Sequence, residues 1–213
     1  MTRAFRCCGA AALLTVSSSW RTTATDGKLS RMHAVEFVFA IAWAAFWIYW
    51  LVAAFSMKRG RLAWSRELRI RAVILVLAIL LVRLGAFRDH GLNSDPWRAG
   101  LGLVLFAAGL GFAIWARVHI GRNWGTPMSQ KNEPELVTSG PYRLVRHPIY
   151  SGVLLAGVGT AVALSWQWLI AVALAGVYFI YSATVEERNL TTQFPDTYPA
   201  YRRSSKMLVP FIF

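Results

Sequence analysis

Between Thr138 and Gly152 the chain reads TSGPYRLVRHPIYSG, placing two tyrosines, two arginines, a histidine and two prolines in one short run. Arg146 and His147 suit a carboxylate or phosphate through charge-assisted hydrogen bonds. Tyr142 and Tyr150 offer ring faces to a cation or to a flat heterocycle. Pro148 fits the first turn of a helix, where no amide donor is needed and its φ is already helical. Ser139-Gly140-Pro141 is a turn, so this polar cluster sits at the mouth of the apolar run that follows it. A second motif, the adjacent pair Glu186-Glu187, follows that run. Adjacent carboxylates repel unless something cationic faces them. Metal chemistry is not expected, because His33, His90, His119 and His147 are scattered without ligand spacing. No serine or cysteine lies in a strained elbow beside a base, so a nucleophilic triad is not expected either.

The elements that carry these residues are membrane spans. Of 213 residues, 56% are hydrophobic, with 10 Trp and 12 Phe, too apolar for an ordinary soluble domain of this length. The net charge of +13 sits mostly in short connections between apolar runs. There it marks cytoplasmic loops and not a nucleic-acid face. Cys7 and Cys8 are adjacent and support no disulfide framework. Five spans are expected: Ala34 to Phe55, Ile70 to Phe87, Ala99 to Val118, and a hairpin whose legs begin at Ile149 and Trp166. Arg83 lies near the end of the second and is expected to snorkel to the interface. Gly152, Ala156 and Thr160 form a small face for the partner helix. The expected class is an all-α polytopic membrane protein with a C-terminal helical hairpin and cytoplasmic cofactor-binding loops. Residues 1–33 form a signal-like extension or precede the true start at Met32, 34–98 carry two spans, and 99–213 form the core. The loops assigned inside hold 15 Lys and Arg against 2 outside, which puts the N-terminus outside and the C-terminus and site at the cytoplasmic face.

The hairpin fixes how the two motifs meet. Each leg rises roughly 25–30 Å at helical pitch, about the hydrocarbon thickness, so Glu186-Glu187 returns to the depth of Arg146-His147. Arginines beside a span and acids just past one are ordinary features of membrane proteins. The backbone shaping by Pro148 and Gly152 and the repulsion within the acid pair argue for a site. Anion-binding cations, carboxylates suited to an ammonium, a sulfonium or ribose hydroxyls, and aromatic faces are together what S-adenosylmethionine would require. The apolar walls would take a lipophilic partner from the bilayer.

The run ELVTSGPYRLVRHPIYSG, the apolar hairpin, EERNL from Glu186 to Leu190 and a tail with Tyr198, Tyr201 and Pro210 resemble the isoprenylcysteine carboxyl methyltransferase family of membrane enzymes. GRNWG, from Gly121 to Gly125, resembles the loop before that family's core. The resemblance spans about residues 100–213. Phospholipid N-methyltransferases are similar in the Arg-His-Pro-x-Tyr and Glu-Glu parts, and membrane sterol reductases more distantly. It implies that Gln130, Leu136, Val137, Tyr142, His147, Pro148, Ile149, Tyr150 and Glu186 hold S-adenosylmethionine. Arg146 and Glu187 are then the candidate catalytic residues, Arg146 beside the transferring methyl or the substrate's anionic group. The expected substrate is a lipophilic or lipid-modified acceptor, an isoprenylcysteine-type carboxylate among them. Enzymes of that type carry an arginine about one turn before the acid pair, and Ser182 stands there in this chain. A phospholipid, phenol, thiol or quinone-like acceptor is an equal expectation. A same-fold reductase using a nicotinamide and a non-enzymatic membrane scaffold or small transporter are the alternatives.

Overall fold

The computed structural model describes residues 34–52, 60–61, 95–121, 130–131, 135–210 and 212. The expectations for the N-terminal extension, for the second span with Arg83 and for most of GRNWG lie outside them. Helix α1 is Ala34–Val52, α2 Pro96–Ile120, α3 Pro148–Ala163, α4 Trp168–Gln193 and α5 Tyr198–Ser204. Among the described residues the extended structure is slight: Gly60–Arg61 (β1) pairs antiparallel with Gln130–Lys131 (β2). The chain is an all-α polytopic membrane protein. Helices α1, α2 and α4 are long and apolar enough to cross a bilayer, and α3, at 16 residues, reaches about 24 Å. Their outward faces are apolar, as at Val104 and Val177, 65% and 70% exposed. Such faces are stable in lipid and costly in water.

Prolines open three of these helices: Pro96 in α2, Pro148 in α3 and Pro199 in α5 each stand in the first turn. Helix α4 runs unbroken past Glu187 to Gln193, and Pro195 follows where the helix has already ended.

The packing corrects one expectation. The small face of α3 does not meet its hairpin mate α4 but lies against α2. A Cβ on Gly109 would sit 2.4 Å from the Ala156 nitrogen, and one on Gly159 2.4 Å from the Phe106 nitrogen. Backbones in lipid come that close only where both helices offer small residues, and α2 carries the matching stripe at Gly102, Gly109 and Ala113. On α3 it is Gly157 that faces α4, its missing Cβ making room for the Val172 side chain. Helix α1 is pinned to the pair by Phe39, 4.6 Å from the Phe106 ring, and by Trp43, whose indole N–H donates to the Thr160 hydroxyl at 3.2 Å. Between α1, α3 and α4 lies an apolar cavity of about 570 Å³, walled by Trp43, Trp47, Leu154, Gly157, Trp168 and Val172 among others.

Candidate active site

The four-residue connection Leu164–Gln167 turns the chain back on itself. Glu186 then lies about 27 Å along α4, level with the start of α3. There the two motifs touch. Arg146 Nε donates to Glu187 Oε1 at 2.7 Å. His147 Nδ1 lies 3.6 Å from Glu186 Oε2, and its Nε2 lies 3.4 Å from Glu187 Oε1. Arg202 Nε reaches the other Glu187 oxygen at 3.3 Å. Glu187 is buried, whereas the Glu186 side chain keeps 31% of its surface, so the two neighbouring acids have different surroundings.

Rings complete the wall. Tyr150 lies one turn after His147 and stacks on it at 5.5 Å; it also stacks on Phe179 at 4.6 Å, all nearly parallel. Phe179 precedes Glu186 by seven residues, two helical turns, which puts both on one face of α4. The turn before α3 is set by Gly140, whose φ of +60° favours glycine and whose Cα is roofed by the His119 ring 2.6 Å from where a Cβ would be. His119 Nε2 and the Ser139 hydroxyl lie 2.9 Å apart, tying that turn to the end of α2. Tyr142, buried beneath it, receives the Tyr201 hydroxyl on its carbonyl at 2.6 Å.

Of the residues expected to hold a cofactor, Tyr142, His147, Pro148, Ile149, Tyr150 and Glu186 line one small cavity, together with Arg146 and Ile120. Leu136 lines a different, larger hollow of about 700 Å³ with Thr138, Arg143, Thr197 and Tyr201. Val137 is half-buried and lines neither of these cavities. The backbone of Gln130 pairs with Arg61. Sequence reasoning passed over His119, Phe179, Ser151 and Ser205. Phe179 was accessible through its spacing from Glu186, whereas the other three matter through contacts that no local pattern encodes.

Burial alone would lower the His147 pKa, but the carboxylates of Glu186 and Glu187 outweigh it and raise it above 6.5. A histidine raised in the folded state adds stability that is complete below its unfolded pKa and is lost as pH climbs through the folded one. The thermal unfolding midpoint in detergent should therefore fall as pH rises above about 6.5, and His147→Gln should flatten that slope. An equal slope in the variant would assign it to other groups. The neighbouring tyrosines do not contribute, since burial pushes Tyr201 up to about 12.

Comparison with known proteins points the same way. Residues 97–197 match the phospholipid methyltransferase family, so this core region is similar to the membrane methyltransferases. The chain is 36% identical to protein-S-isoprenylcysteine O-methyltransferase A of Arabidopsis thaliana, over 57% of its own length and 64% of that protein. It is 30% identical to a methanethiol S-methyltransferase of a Pseudomonas species, over 64% of its length and 56% of the relative. The eukaryotic intramembrane Ras methyltransferase, isoprenylcysteine carboxyl methyltransferase, shares its fold. The TM-score is 0.54 at 22% identity, covering 71% of this chain and 55% of that one. The chain thus spans between half and two thirds of the length of these relatives.

Proposed function

We propose that this protein transfers a methyl group from S-adenosylmethionine to a lipophilic acceptor reached from the bilayer, at a site on the cytoplasmic face. The observation that carries the reading is the return of α4, which brings Glu186 within 3.6 Å of His147 beside the Tyr150 ring. The donor set fits the charged end of the cofactor: the partly exposed Glu186 carboxylate for its ammonium, with the Tyr150 ring beside it and His147 behind, its Nε2 3.4 Å from Glu187. The cavity these groups surround is about 40 Å³.

S-adenosylmethionine supplies a methyl on a sulfonium sulfur, which an acceptor takes by in-line displacement. The residues' part is to hold that end in line and keep water out. Tyr142, His147, Pro148, Ile149, Tyr150 and Glu186 would form this wall, with Gln130, Leu136 and Val137 contributing from the preceding loop. The α3–α4 seam continues from the Tyr150–Phe179 stack into the 570 Å³ cavity, an apolar bed for an acceptor's tail. Arg146 is paired with Glu187, and Ser182 is buried one turn before the acids. Together these favour an uncharged acceptor, such as a thiol, over a carboxylate. An isoprenylcysteine carboxylate is the second reading, supported by likeness to the Arabidopsis enzyme.

The test is equilibrium binding of labelled S-adenosylmethionine to the detergent-solubilised protein. Saturable binding should weaken at least about tenfold, about 1.4 kcal/mol, in both Glu186→Ala and His147→Ala. Binding that neither substitution alters would reject the site. Incubation of the labelled cofactor with a membrane lipid extract and with long-chain thiols then identifies the acceptor.

A further inference from the structure

The segment that presents His147 is not held by α3 alone. Arg146 N–H donates to Lys206 O at 2.8 Å and His147 N–H to Met207 O at 3.1 Å. The Ser151 hydroxyl donates to Leu208 O at 2.6 Å. Val145 and Lys206 are bridged in parallel, so the chain from Ser205 to Leu208 lies as a strap beside Val145–His147. Buried amides need partners, and at the entrance of α3 the strap supplies them. The His147 side chain makes no capping bond to its helix.

Arg146 holds this strap in place. Its Nε is on Glu187. Its Nη1 donates to Arg202 O at 3.2 Å and also to Ser205 O. Those carbonyls end α5, where the last turn has no helical donors and a cation is favoured. One guanidinium thus ties α4, the end of α5 and the strap to the backbone carrying His147. A planar fork spans three acceptors in this way, and an ammonium does not.

We propose that Arg146 is a positioning residue, clamping the C-terminal strap Ser205–Leu208 against Val145–His147 so that His147 and Glu187 keep their places, and that it does not meet the methyl acceptor. The activity readout rests on the S-adenosylmethionine reading above; the strap itself does not. The experiment compares full-length wild type, Arg146→Met, Arg146→Lys and a chain ending at Ser204, in detergent, by hydrogen exchange and steady-state kinetics. In Arg146→Met the amides of residues 146 and 147 should exchange about tenfold faster or more, while amides of the α2–α3 seam keep their protection. KM for S-adenosylmethionine should rise about tenfold while kcat at saturation stays within about threefold. Arg146→Lys should recover part of the KM loss, and the shortened chain should reproduce the Arg146→Met pattern. Unchanged exchange and KM with kcat reduced about a hundredfold would overturn the proposal and place Arg146 on the acceptor. Should Arg146→Met fail to fold, the other two variants decide, and a shortened chain with wild-type exchange and KM overturns it. A wild type that binds no S-adenosylmethionine rejects the functional reading, yet the exchange pattern still decides the strap.

Discussion

Gly109→Leu should yield no folded, monodisperse protein, whereas Gly111→Leu, two residues along the same helix, should be close to wild type. At Gly109 even a Cβ would lie 2.4 Å from Ala156 N and 2.6 Å from Gly152 O, and at Gly111 none of the described residues lies within 4 Å. The atoms met at Gly109 are backbone, so no side chain can swing aside, and α2 and α3 must separate along their length. The loss exceeds the upper end of ordinary overpacking, about 3 kcal/mol, because the close approach itself supplies the attraction between helices in lipid. Size-exclusion profiles and thermal unfolding of the two variants in one detergent measure it. The consequence for function follows directly, since α2 also carries Ala116, Ile120 and His119, which back the Tyr142 turn. A folded Gly109→Leu protein with native stability would mean that the seam is looser than described.

Glu187→Ala should destabilise the protein by about 3–5 kcal/mol, the range for removing one partner of a buried ion pair. The carboxylate is 3% exposed and faces Arg146, Arg202 and His147 at 2.7, 3.3 and 3.4 Å. Its loss leaves the buried Arg146 and His147 without their shared carboxylate. Glu187→Gln, which keeps shape and hydrogen-bonding capacity, should lose less. Replacing both partners, Arg146→Met with Glu187→Met, should recover part of the loss, since apolar groups of similar volume need no compensation. Unfolding midpoints of wild type, Arg146→Met, Glu187→Met and the double variant form a double-mutant cycle. A Glu187→Ala protein as stable as wild type would show the cluster to be solvated.

The two acids thus have separate tasks that their adjacency in sequence conceals. Glu187 points into the protein and organises cations. Glu186 faces the cavity beside Tyr150 and remains accessible. Successive residues on one helix point about 100° apart, so the distinction lies in what each meets across the α3–α4 seam.

Much of this protein follows from the sequence alone. The length of the apolar runs sets how far each helix reaches, because rise per residue and bilayer thickness are fixed. From that arithmetic the hairpin had to bring Glu186-Glu187 back to Arg146-His147, and Pro148 had to open α3. Which helix the small face of α3 would choose was not determined by that face. The answer lies in the matching stripe on α2 and the bulk of Val172 on α4, a complementarity between surfaces distant in sequence. Nor does any local pattern connect Ser205–Leu208 to Val145–His147. Backbone amides and carbonyls are the same at every residue, so only the folded chain decides which of them pair. The sequence therefore determined the reach of each element and the chemistry it carries, while tertiary packing decided which groups are spent on one another and which are left facing the cavity.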